Sequence, residues 1–141
     1  MTAQIKMLEK LASVRATKVR QIQSQVNYQQ GLCQRYRNNI KGLETLCQFN
    51  PQVETPLQRS NQQQYKTTLF KMLELQRREL ATAEQTLTHI QRDLLQAMRD
   101  EKVLCHLIDS KWALWQDELT RQAQKIQDGL AAQSWWRQQM G

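Results

Sequence analysis

Three cysteines and two histidines are the residues of this 141-residue chain best suited to metal or redox chemistry. Cys105 and His106 are neighbours, and a thiolate beside an imidazole is a metal-ligand pair by type. Chelation needs both groups on one face of their element. Adjacent residues on a helix point about 100° apart, and His89 stands 17 residues before His106. No metal site is therefore expected. An odd cysteine count argues against a disulfide framework. Cys33 and Cys47 fall on apolar positions of a repeat and are expected to be small buried hydrophobes. The chain has no Gly-rich phosphate loop, no paired carboxylates in a plausible cleft and no Cys/His/Asp grouping. It is not expected to be an enzyme, and no cofactor is implied.

Charge is the other chemical resource. The net charge is +7. In residues 1–48, Lys6, Lys10, Arg15, Lys18, Arg20, Arg35, Arg37 and Lys41 face only Glu9 and Glu44, which leaves +6 on that stretch. Residues 92–141 hold seven charges of each sign and balance. A basic helix can meet phosphates, an anionic membrane or an acidic protein surface. The groups around Lys18 are spread round a helix rather than gathered on one side, so a solvated face accounts for much of the charge. Nucleic-acid binding would also want interleaved aromatics. Only Tyr28 and Tyr36 are at hand, so no nucleic acid is expected.

Two heptad ladders must carry whatever the chain does. Ile5, Leu8, Ala12, Val19, Ile22, Val26, Cys33, Tyr36, Ile40, Leu43 and Cys47 follow alternating steps of three and four. Leu69, Leu73, Leu80, Ala83, Leu87, Ile90, Leu94, Ala97, Leu104 and Ile108 do the same. Such spacing places the apolar groups of a helix on one narrow stripe, which one partner helix can cover. Arg15, Gln29, Gln76 and Glu101 are polar members of the ladders. They weaken a seam but set its register. Only four Gly, two Pro and 6% aromatics occur, which suits long helices better than a compact core. The Gln runs, such as Gln62-Gln63-Gln64, read as solvated helix faces. No apolar run approaches the ~20 residues of a membrane span. The opening Met1-Thr2-Ala3-Gln4 lacks the apolar core of a signal peptide. A soluble, cytoplasmic chain is expected.

Pro51 and Pro56 break the repeat once, since each removes a donor and disfavours helix in the residue before it. Thr55, or Ser60 followed by Gln63, would cap the next helix. The spacing predicts an all-α fold: one coiled-coil rod over residues 1–141, a long two-helix antiparallel hairpin. Helix one covers about 4–47, the loop about 48–59 and a longer helix two about 60–137. The alternative is a parallel dimer, whose seam two prolines would cost ~3 kcal/mol or more each. Folding about residue 54 places Ile40 beside Leu69, Tyr36 beside Leu73, Val26 beside Ala83, Ile22 beside Leu87 and Ile5 near Leu104. Arg15 and Glu101 come within about one heptad. Beyond about residue 107 helix two is expected to lack a partner, although its stripe continues through Ile108, Trp112, Trp115, Leu119, Ile126 and Leu130. Exposed aromatics on that overhang suggest a protein-binding surface; self-association or fraying is the plainer reading.

In order and length the chain resembles the flagellar type III export stalk proteins, the FliJ family. A basic first helix and a polar loop precede Gln62-Gln63-Gln64-Tyr65-Lys66-Thr67-Thr68-Leu69-Phe70-Lys71-Met72-Leu73-Glu74, which opens the second helix. Ala97-Met98-Arg99-Asp100-Glu101-Lys102-Val103-Leu104 and Trp112-Ala113-Leu114-Trp115-Gln116 then resemble the family's charged and Leu/Trp stretch. The terminal Ser134-Trp135-Trp136 and the short loop depart from the pattern.

That resemblance implies a central stalk like that of rotary ATP synthases. Its open end would enter a hexameric export ATPase through Ile5, Lys6, Leu8, Lys10, Leu11, Leu104, Ile108, Trp112 and Trp115. The cytoplasmic domain of the export gate would meet Leu69, Phe70, Leu73, Gln76 and Leu80, although Leu69, Leu73 and Leu80 are equally ladder residues. Export chaperones are further implied partners, and contact with the membrane would be peripheral, through the export apparatus at its inner face. Two other readings stay open: the equivalent stalk of a virulence secretion system, and an unrelated coiled-coil tether.

Overall fold

The computed structural model describes residues 2–140. They form two helices, α1 (Thr2–Gln48, 47 residues) and α2 (Pro56–Met140, 85 residues), with no strand among them. The all-α class and the longer second helix are as the periodicity predicts. The chain divides into two compact units. Unit 1 takes Met1–Lys18 and Ala97–Gly141; unit 2 takes Val19–Gln96.

Unit 2 is a helical hairpin closed by residues 49–55. Its turn is built by the Thr55 cap. The Thr55 hydroxyl accepts the backbone N–H of Gln58 at 3.2 Å. The Gln58 side-chain oxygen accepts the N–H groups of Glu54 at 2.9 Å and Thr55 at 3.2 Å. This is a reciprocal capping box with Pro56 at the first helical position, where a missing N–H costs nothing. Such a cap contributes about 1 kcal/mol. Of the two caps the sequence offers, Thr55 is used, so α2 starts at Pro56 rather than near residue 60. Lys66 on α2 reaches back and donates to the side-chain oxygen of Asn50.

Within unit 2, Val26, Cys33, Leu69, Leu73 and Ala83 are buried, and the remaining ladder residues are half-buried. Gln29 is buried among them, and its amide donates to the Ala83 carbonyl at 3.0 Å. Leaving that amide without an acceptor would cost about 1–3 kcal/mol. Gln29 therefore penalises any slip of one helix along the other. Arg37–Glu84 (3.2 Å), Arg77–Glu44 (3.0 Å) and Asn39–Gln76 (3.4 Å) cross the seam in exposed positions. Each such ion pair contributes no more than ~1 kcal/mol.

Unit 1 is an antiparallel pair around Ile5, Leu104 and Ile108, with Leu8, Ala12, Trp112 and Trp115 packed against them. Arg15 donates to Asp100 at 3.3 Å, and the Trp112 indole N–H donates to Glu9 at 3.2 Å.

These contacts correct the expected register. Ala83 faces Gln29, three residues further along α1 than Val26. Ile5 clusters not only with Leu104 but also with Ile108, and Trp112 and Trp115 pack against that cluster. Arg15 pairs with Asp100 rather than with Glu101. The loop does not divide evenly between the helices: the Thr55 cap starts α2 early, and Asn50 lies back against Lys66. The first turns of α2 thus run past the end of α1, and each α1 residue meets α2 further along. The overhang consequently begins after Trp115, not near residue 107. Trp112 and Trp115 have intramolecular partners, and the expectation that they lack them does not hold.

Candidate interaction surfaces

The residues assigned to the ATPase-facing end separate into two groups. Ile5, Leu8, Leu104, Ile108, Trp112 and Trp115 join in one apolar cluster inside unit 1. There Ile5 is wholly buried, while Trp112 and Trp115 meet edge to face at 5.6 Å. Such pairs add about 0.5–1.5 kcal/mol beyond the area they bury. Their role is to hold α1 on α2. Lys6, Lys10 and Leu11 are exposed and can meet a partner directly.

Leu11 has company that the heptad reading missed. With Val103, Leu104, Leu107 and the Arg15–Asp100 pair it lines an open groove of about 310 Å³. Val103 and Leu107 stand off the ladder and are exposed. The available signal was their i, i+4 spacing on the flank of the Leu104 stripe, where two adjacent apolar groups have no seam to fill.

The gate-facing assignments divide in the same way. Leu69 and Leu73 are each 4% exposed and belong to the seam. Leu80 and Gln76 are half-buried, and Gln76 accepts from Asn39. Phe70 is exposed. Met72, which the ladder does not single out, is exposed as well and lines a second groove of about 390 Å³ with Asn38, Asn39, Gly42, Leu43, Leu46 and Gln76. Gly42 contributes space: a Cβ there would meet nothing within 4 Å. Both grooves are shallow, amide- or charge-rimmed strips along a helix seam, a form suited to an apolar side chain of another protein.

No described helix is long and apolar enough to cross a membrane. No group of three His, Cys, Asp or Glu among the described residues could hold a metal ion. Cys33 is buried, Cys47 half-buried and Cys105 exposed, all as free thiols.

The position of Trp112 reverses one stability expectation. An unpartnered Trp112 would be replaced without consequence. Packed on the Ile5 cluster and donating to Glu9, it is expected to lose about 2 kcal/mol as Trp112→Ala, less than a fully buried Trp would. Thermal melting followed by circular dichroism measures this. Trp135→Ala is the control, because Trp135 is exposed and its ring contact is with Trp136. Equal melting of the two variants would show that Trp112 is not part of the fold.

No curated protein and no solved structure matches the chain. A family model, described as Flagellar FliJ protein, matches residues 4–140. That span takes in almost all of α1 and all of α2, including both ladders and both grooves. The chain belongs to the FliJ family of flagellar export proteins.

Proposed function

We propose that this protein is the central-stalk component of the flagellar type III export apparatus, coupling a hexameric export ATPase to the export gate. In this reading unit 1 enters the ring of the ATPase. Phe70, Gln76 and the Met72 groove of unit 2 meet the cytoplasmic domain of the gate, with Leu69, Leu73 and Leu80 holding the helix that presents them. Empty export chaperones are escorted by the same protein. It works in the cytoplasm, peripheral to the inner face of the membrane. The family match across residues 4–140 carries the reading. It is flagellar by description, which favours the flagellar apparatus over a virulence system and over an unrelated tether.

Unit 1 offers chemistry suited to a ring lumen. Its interior is closed by the Ile5 cluster, so it enters as a preformed pair rather than as two loose helices. Lys6 and Lys10 are exposed on α1 and can meet acidic or carbonyl groups. Leu11, Val103 and Leu107 add an apolar edge. A stalk that fits the centre of one ring favours ring assembly, and hydrolysis rises because more active interfaces form.

The test adds the protein to its cognate export ATPase and measures hydrolysis and hexamer content. Both should rise, and Lys6→Glu with Lys10→Glu should remove most of the rise. Because exposed charges are screened within ~8–10 Å at physiological salt, the effect should weaken as salt increases. Unchanged hydrolysis without hexamer enrichment would overturn the proposal.

A further inference from the structure

From Gln116 to Met140 every described residue of α2 is exposed. The helix α1 starts at Thr2, and its seam contacts on α2 end at Trp115. The stripe itself continues. Leu119, Ala123, Ile126 and Leu130 follow at steps of four, three and four, with the three large side chains 45–63% exposed. A stripe of this width is covered by one further helix. We propose that a second copy of this chain supplies it, through the same segment laid antiparallel.

Charge favours a second copy. Residues 116–140 hold Asp117, Glu118 and Asp128 against Arg121, Lys125 and Arg137, a balance, whereas the whole chain is +7. Two such segments meet without net repulsion. The positions flanking the stripe are Thr120 and Gln127 on one side and Gln122 and Gly129 on the other, all uncharged. Flanking charges are what a coiled-coil partner of opposite sign would read, and none stand there. The stripe also continues a seam the molecule already uses, taking it up where α1 stops.

Direction follows from the residues. A parallel, in-register pair would set Arg137, seven residues after Leu130, against its own counterpart in the seam. The antiparallel pair sets Leu119 against Leu130 of the second copy and the small Ala123 against Ile126. The bulk of each α1 then lies at opposite ends of the shared segment. Residues 116–140 belong to unit 1, so the pair is a state of the chain outside a ring, and it is tested without the ATPase.

Sedimentation equilibrium of the full chain, without the ATPase, tests it. A reversible monomer–dimer equilibrium is expected across the micromolar range, little changed by salt. Ile126→Asp should weaken it by at least roughly tenfold while helicity and melting stay as in the parent, because Ile126 is 63% exposed. Leu119→Asp should do the same, which guards against one variant misfolding. Direction is read from a spin label on Gln138→Cys in a chain whose three cysteines are replaced by alanine. Antiparallel pairing puts the two labels roughly 27 residues apart along the axis, ~40 Å, and parallel pairing ~10 Å. A monomer at every concentration, a dimer indifferent to both Asp variants, a dimer dissolved by salt or a short label distance would each overturn the proposal.

Discussion

Replacing Ile5 by Asp is expected to detach the first turns of α1 from α2. Ile5 is the wholly buried centre of the cluster in unit 1. The change removes an apolar side chain and leaves a carboxylate without a partner in its place, a local loss of ~4 kcal/mol or more. The segment freed, residues 2–18, then projects from α1 without a partner and frays, because tertiary packing of the apolar face supplies most of a helix's stability in water. Backbone amides of that segment should therefore exchange with solvent orders of magnitude faster, while those of Val26 to Leu43 keep their protection. Met7→Asp is the comparison, since Met7 is 72% exposed and should leave exchange unchanged. If Ile5→Asp behaves like Met7→Asp, the cluster does not hold the pair together.

The second large effect separates seam from surface on α2. Leu73 is 4% exposed, so Leu73→Ala is expected to cost ~2–3 kcal/mol and lower the melting temperature. Phe70, three residues before it, is 56% exposed. Phe70→Ser should change stability by no more than ~0.5 kcal/mol, as exposed substitutions do. If unit 2 meets the export gate there, the same variant cuts gate binding and motility with melting unchanged. Loss of gate binding in Leu73→Ala would then follow its loss of folding. Should Phe70→Ser bind the gate as the parent does, the contact lies elsewhere on the unit.

The register has a broader physical meaning for this fold. A two-helix seam has no third layer to lock it, so a sliding helix meets the same kind of apolar groove every heptad. Gln29 breaks that degeneracy from inside, through the Ala83 carbonyl. Arg15–Asp100 and Glu9–Trp112 bias it from the flanks of unit 1. The polar ladder members recognised in the sequence thus have a use, although their partners were not legible there. The spacing brings Arg15 and Glu101 only within about one heptad, and Asp100, one residue earlier, receives Arg15 because adjacent helical residues point in different directions.

Lys6, Lys10, Leu11 and Phe70 are exposed as a contact would require. Leu69, Leu73, Trp112 and Trp115 carry structural work that spacing does not separate from binding. An apolar group at a ladder position satisfies the seam and would satisfy a partner equally, and the choice depends on what else arrives. Met72 is a single apolar residue off the stripe, ordinary on any helix surface, whereas Val103 and Leu107 form an i, i+4 pair beside the Leu104 stripe that the heptad count passes over.

The two helices, the break between them and the face each helix buries follow from the order of residues alone. Every ladder residue it marks, from Ile5 to Cys47 and from Leu69 to Ile108, is buried or half-buried. These features follow from local rules: a 3,4 repeat gathers apolar groups on one side, and a proline behind a Thr cap starts a helix. Tertiary structure alone decided the register, and with it where α1 stops covering α2. That choice depends on how the loop divides between the helices and on which buried polar group finds an acceptor across the seam. Both are long-range sums over many weak contacts, and a repeat that looks the same every seven residues carries no record of them.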